Sequence, residues 1–289
     1  MNERRSPPTI YLGNRFLSGD EAPRVSLLDR GYLLGDSVFA TLRGYGTRTF
    51  ALHEHIARLF EAAGAYGIEC PLSPEEVKAR VSEALHRAAL SSSAIRITVS
   101  RGEGDGGFAL SGNEAGLLSI VVRELVPASG AFTARISDVR AVPAVCLDPK
   151  HKVGSYMTNV AARREATANG ASEAILLAAG SDVIVSGAAS NLFALIGGRL
   201  MTPSEADGAR PGVMRRHLLH VARELGIATE VRTLPRRELE QADALLFTSS
   251  LLELRSASGL GDRPLPHPDH PTVRALTAGL RTHIEGDLS

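Results

Sequence analysis

The sequence predicts an α+β protein: helix-spaced and strand-spaced apolar patterns occur in both halves of the chain, and strands mostly follow strands. Residues 73–76, Ser-Pro-Glu-Glu, read as a capping box with proline at the first helical position, and Val77, Val81 and Leu85 follow at helical spacing. Residues 94–100 alternate and are rich in β-branched types, so a strand is expected there and another over 117–122. The stretch 125–132, LVPASGAF, breaks the pattern with proline, serine and glycine before a further strand over 134–142. Consecutive strands are expected over 173–178, 182–185 and 191–196, and Gly197-Gly198 supplies a two-residue hairpin turn into 199–202. A further helix runs from Pro211, with Met214, Leu218, Val221 and Leu225 on one face and Gly226 as its stop. The break sets the expected organisation: a small N-terminal domain over 1–124, a linker over 125–133 and a large domain over 134–289.

A length of 289 residues is compatible with one large domain or two modest ones. Thirty-two Lys and Arg balance thirty-two Asp and Glu, so no global field attracts nucleic acid or an anionic membrane. The first ten residues carry charge and proline but no signal-like apolar run, and no later segment approaches the ~18 apolar residues of a spanning helix. A cytoplasmic location is therefore expected. Cys70 and Cys146 have no metal-site spacing and are expected to be core thiols.

Four segments have chemical potential. Lys152 follows an apolar run and precedes Tyr156 by four residues; desolvation of such an amine lowers its pKa and makes it nucleophilic toward a carbonyl, although most lysines are solvated. Gly212 opens a helix whose free N–H groups suit a phosphate, as every helix start does in some measure. Residues 247–250, Phe-Thr-Ser-Ser, place hydroxyls at the end of an apolar run, where turn chemistry is the competing explanation. Arg58, in the helical stretch 55–59, is able to grip phosphate with its planar fork or to lie exposed on a helix surface.

Their order and spacing, together with 29–39 (DRGYLLGDSVF), 152–165, Ser190-Asn191-Leu192-Phe193, Met201-Thr202-Pro203, 212–215 and Ala242-Asp243, resemble the fold-type IV pyridoxal-phosphate enzymes. These are the branched-chain and D-amino acid aminotransferases and aminodeoxychorismate lyase, and the resemblance spans about Tyr11 to Ala257. It implies a small α/β sandwich domain plus a larger β-barrel-like domain with flanking helices, and a homodimer. It also implies that pyridoxal 5'-phosphate is held as an imine on Lys152, which would move the proton at the substrate Cα. Lys150 is the poorer candidate, lacking a tyrosine four residues on. By the same resemblance Arg58, the N–H groups of Val213 and Met214, and the hydroxyls of Ser249 and Ser250 would hold the phosphate, and Tyr156 would lie near the phenolic oxygen. The protein supplies orientation and the cofactor supplies the electron sink.

Two departures bear on that sink. The family's glutamate for the pyridine nitrogen is Ser186 here, which can hydrogen-bond the nitrogen but cannot hold its proton by charge. The apolar residue under the ring is Arg210, a cation that also disfavours a protonated pyridine. Smaller changes are Met214 for a threonine and Ala40 for a glutamate; loss of one hydroxyl donor weakens binding by roughly 1 kcal/mol. Residues 101–108, RGEGDGGF, look like the glycine-rich loop of the lyases and their relatives, with Gly106 where an arginine often stands. Arg43, Arg96 and Arg101 are the candidates to grip a substrate carboxylate. The expected activity is amino-group exchange between a small amino acid and a 2-oxo acid. An aminodeoxychorismate-type lyase releasing pyruvate and a family member that binds without turnover are the alternatives.

Overall fold

Alternate residues of three strands line one face of the first sheet of the computed structural model, which describes residues 7–19, 21–112, 114–126 and 130–288. Chain contacts divide it into two units, Met1–Pro127 with His151–Ser155 and Asp287–Ser289, and Ala128–Lys150 with Tyr156–Gly286. The first contains β1 (Thr9–Leu12), β2 (Arg15–Phe16), α1 (Arg30–Leu34), β3 (Ser37–Tyr45), β4 (Arg48–Thr49), α2 (Leu52–Ala65), α3 (Pro74–Ala88), β5 (Ser92–Ser100) and β6 (Leu117–Glu124). Its strands form an antiparallel sheet in the order β2-β1-β6-β5-β3-β4. Val38, Ala40 and Leu42 of β3 share one face with Ile95, Ile97 and Val99 of β5 and with Leu118, Ile120 and Val122 of β6. Ile56 and Leu59 of α2 and Val77, Val81 and Leu85 of α3 close that face. The capping box forms as expected: Ser73 accepts from the Glu76 amide, and the Glu76 carboxylate accepts from the Ser73 amide at 2.8 Å.

The second unit contains β7 (Thr133–Arg140), α4 (Met157–Ala168), β8 (Glu173–Leu177), β9 (Ile184–Gly187), β10 (Asn191–Ile196), β11 (Arg199–Pro203), α5 (Val213–Glu224), β12 (Thr229–Arg232), β13 (Ala244–Ser249), β14 (Glu253–Ala257), β15 (Gly259–Leu260), β16 (Arg263–Pro264) and α6 (Pro271–Gly286). Two five-stranded sheets result, β12-β11-β10-β13-β14 and β16-β15-β7-β8-β9. Ile175 and Ile184 from one and Leu192, Leu245 and Phe247 from the other fill a common core, which is the barrel-like arrangement. The α+β class therefore holds. Gly197 and Gly198 turn β10 into β11 with φ of 55° and 77°, values that glycine adopts without strain.

Some expectations shift. The strand expected over 182–185 occupies Ile184–Gly187. The helix expected from Pro211 starts at Val213, and Leu225 is 45% exposed because the chain leaves the helix there, ahead of Gly226 at φ 68°. Cys146 is exposed, not a core thiol: it lies between Pro143 and Pro149 in a turn that also carries Val145 into solvent. Cys70 is half-buried at the edge of the first core, where burial raises its thiol pKa. Residues 127–129 of the expected linker lie outside the described residues. Among the described residues no helix is long and apolar enough to cross a membrane.

Candidate active site

Residues 151–155 return the chain to the first unit and lie along the start of β3. The Phe39 amide donates to the Lys152 carbonyl at 2.9 Å and the Gly154 amide donates to the Ser37 carbonyl at 2.7 Å, with Val153 bridged to Val38. Glycine at 154 permits this approach: a Cβ there would stand 2.3 Å from Ser37 Oγ and 2.7 Å from the Gly35 carbonyl oxygen. The half-buried Lys152 projects its ammonium to 4.8 Å from the centroid of the Phe39 ring. The Arg96 guanidinium covers the same ring at 3.2 Å, so the two cations are at most about 8 Å apart, the sum of those distances.

Strand alternation explains the grouping. Phe39, Thr41 and Arg43 project from the face of β3 opposite the helix-covered core, and Thr98 and Arg96, paired with Phe39 and Thr41, share it. Arg43 adds a guanidinium 5.0 Å from the Tyr45 ring. Arg101, expected as a carboxylate clamp, is committed elsewhere: it donates to both Asp36 oxygens and to the carbonyls of Gly67 and Tyr66. Four of its five N–H groups are thereby engaged. Arg58 is half-buried on α2 of the same unit.

The segment 29–36 builds the support. Asp29 caps α1 and accepts from Ser100 Oγ at 2.6 Å. Arg30, 5% exposed, pairs with Asp36 at 2.9 Å and donates to the carbonyls of Gly107, Phe108 and Ala109, holding the glycine-rich loop. Burial by itself would raise the Asp36 carboxyl, but hydrogen bonds and charge from Arg101 and Arg30 outweigh it and lower its pKa. The sequence pattern singles out this segment but gives no role to Arg30 or Asp36.

In the second unit the turn into α5 is braced by Asn191, whose side-chain amide donates to the Arg210 carbonyl at 2.7 Å. A Cβ at Gly212 would lie 2.1 Å from Asn191 Oδ1, so glycine is required, and with no cap side chain the first-turn amides of Val213 and Met214 are left for a ligand. Arg210 donates from Nη2 to the Tyr156 hydroxyl at 3.2 Å, while its Nη1 is buried with no hydrogen-bond partner. Ser186 is half-buried on β9, paired with Leu176. Ser249 accepts from the Leu252 amide at 3.2 Å in the turn between β13 and β14, and Ser250 is half-buried in that turn. Ser190 donates to the fully buried Glu173, which also pairs with Arg163 at 3.0 Å. The candidates thus fall into two sets. Lys152, Arg58, Arg43, Arg96 and Arg101 belong to the first unit, and Tyr156, Ser186, Val213, Met214, Ser249 and Ser250 to the second.

The sequence profile of the amino-transferase class IV family matches residues 37–260. The chain belongs to the class IV aminotransferases. A provisional branched-chain-amino-acid aminotransferase of Methanocaldococcus jannaschii is 33% identical over 250 residues, 85% of each chain. The aminodeoxychorismate lyase of Bacillus subtilis strain 168 is 28% identical over 250 residues, 85% of this chain and 84% of its own. The structure of a T.th. branched-chain amino acid aminotransferase with pyridoxamine 5'-phosphate superposes with a TM-score of 0.89 at 26% identity, covering 97% of each chain. Class IV aminotransferases are pyridoxal-phosphate enzymes. The uncapped end of α5 is compatible with a phosphate, since Gly212 brings no cap side chain to occupy the first-turn amides. At the position where the sequence comparison expects a glutamate, this chain carries the half-buried Ser186.

Proposed function

We propose that this class IV aminotransferase binds pyridoxal 5'-phosphate through Lys152 and exchanges the amino group of a small amino acid with a 2-oxo acid. The observation that carries the reading is the pair of cations on Phe39: an amine at 4.8 Å and a guanidinium at 3.2 Å from one ring. A substrate with an amino group and a carboxylate requires such a pair, one group for the reacting nitrogen and a planar fork for the carboxylate. Lys152 is the acid and base that holds or moves the proton at the substrate Cα. Arg96, assisted by Arg43, orients the carboxylate. The amides of Val213 and Met214, with Arg58, Ser249 and Ser250, hold the phosphate. Tyr156, four residues after Lys152, is the residue proposed to lie near the phenolic oxygen of the cofactor. Pyridoxal phosphate supplies the electron sink at the substrate Cα when bound.

Ser186 and Arg210 set the character of this member. A neutral serine and a nearby cation both disfavour a proton on the pyridine nitrogen, so transamination runs slowly or yields to chemistry less dependent on that sink. The second reading is a pyruvate-releasing lyase, favoured by the lyase relative and by the glycine-rich loop fixed on Arg30. The domain boundary near 125–133, the homodimer and the cytoplasmic location are part of the same proposal.

The test is the visible absorbance of the purified protein. A band lost in Lys152→Ala and shifted to the pyridoxamine form by added amino acids supports an aminotransferase. A band without that half-reaction, with pyruvate released from aminodeoxychorismate, supports the lyase. A band retained in Lys152→Ala overturns both.

A further inference from the structure

The later turns of α5 carry a cluster that phosphate binding at its first turn leaves unused. His217, His220 and Glu224 recur at i, i+3 and i+7, on one side of the helix, and His283 of α6 meets them. Gly279 permits the close approach of the two helices: a Cβ there would stand 2.9 Å from Val221 Cγ1 and 3.2 Å from Leu225 Cδ1. One turn further along α6, His283 Nε2 lies 2.9 Å from His217 Nδ1, and its ring centroid lies 5.3 Å from that of His220. His220 Nε2 is in turn 3.2 Å from Glu224 Oε1. One ligand atom from each of His220, Glu224 and His283 falls within 4.8 Å of the others.

We propose that His220, Glu224 and His283 form a site for a late first-row divalent cation, zinc above all, that ties α5 to α6. Two imidazoles and a carboxylate are the donors such ions take, with water completing the shell. Metal–ligand bonds of about 2.0–2.2 Å bring donor atoms to roughly 3.3–3.5 Å from one another in a tetrahedral site. His220 and Glu224 are 46% and 60% exposed, so small side-chain rotations close the remaining gap at little steric cost. His217 positions the site: its Nδ1 engages one ring nitrogen of His283 and fixes the orientation of the imidazole. This site is independent of the aminotransferase reading, since none of its residues is assigned to cofactor or substrate.

The experiment is calorimetric titration of the chelator-treated holoenzyme with Zn2+, with thermal unfolding and the visible spectrum of the Co2+ form in parallel. The expected result is one equivalent bound per chain, a melting temperature that rises until that equivalent is reached, and tetrahedral Co2+ bands. His283→Gln and His220→Gln each weaken binding at least tenfold, and Mg2+ fails to substitute. Because His220 is on the surface, its variant tests the site even if His283→Gln folds poorly. Binding unchanged in His220→Gln, or carried instead by the separate pair His267 and His270, whose ring centroids lie 6.2 Å apart, overturns the proposal. So does the absence of any zinc-dependent rise in melting temperature.

Discussion

Replacing Gly154 by alanine tests how the lysine segment is seated. The new methyl meets a side-chain hydroxyl at 2.3 Å, which can rotate away, and the Gly35 carbonyl oxygen at 2.7 Å, which cannot. The backbone of 152–154 must therefore move off β3, at an overpacking cost of about 1–3 kcal/mol. It also weakens the Phe39–Lys152 and Gly154–Ser37 hydrogen bonds, worth about 1 kcal/mol each. A combined loss of about 2–4 kcal/mol lowers the melting temperature by roughly 5–10 °C at about 2–3 °C per kcal/mol. A shift of about 1 Å in the amine reduces turnover on the order of a hundredfold. Thermal unfolding and turnover of Gly154→Ala are compared with Gly64→Ala, where nothing lies within 4 Å of the added methyl and helix propensity favours alanine. Wild-type melting and turnover in Gly154→Ala would refute the seating argument.

Other outcomes follow from the same geometry. Arg96→Ala should raise KM for the amino acid by roughly ten- to a hundredfold, the worth of a charged hydrogen bond to carboxylate, with a smaller change in kcat; equal KM values in steady-state kinetics would reassign the clamp to Arg43. Ser186→Glu should raise the rate of the transamination half-reaction, more so with Arg210→Leu, measured by stopped-flow absorbance; no gain in either counts against the weakened sink. The lowered pKa of Asp36 gives the fold a contribution that is complete above the ordinary carboxylate value of about 3.9 and is lost as pH falls through the depressed folded value. Asp36→Asn, which leaves the buried Arg30 and the half-buried Arg101 short of a counter-ion, should lose about 3 kcal/mol at neutral pH. The gap should narrow below about pH 4, and a gap independent of pH in denaturant titrations would contradict the assignment.

What was legible in the sequence was local or periodic. The Ser73 capping box, the Gly197-Gly198 hairpin and the alternation over 94–100 are decided by neighbours a few residues away, and each forms. Burial of Cys146 and the partners of Arg101 are decided at long range. Cys146 turns outward between two prolines, and Arg101 is held by Asp36 and by carbonyls 34 and 35 residues earlier. The glycines at 154 and 212 were legible as motif positions, but their reason, a close approach to Gly35 and Ser37 or to Asn191, needs the folded chain. Arg30 and Asp36 lie within the motif at 29–39, and an arginine six residues before an aspartate was the signal available.

The strip at 152–154 has a second consequence. Among the described residues β4 pairs with β3 only at Gly44 and Tyr45, so the backbone of 37–39 is a bare strand margin until the later segment arrives. A chain cut before residue 151 would display that margin beside apolar Val38, a template for recruiting a neighbour's strand. Nascent chains must synthesise some 110 further residues after Phe39 before the margin is sealed, and the residue that seals it is the one expected to do the chemistry. Acquisition of reactivity and protection from self-association are thus one folding event.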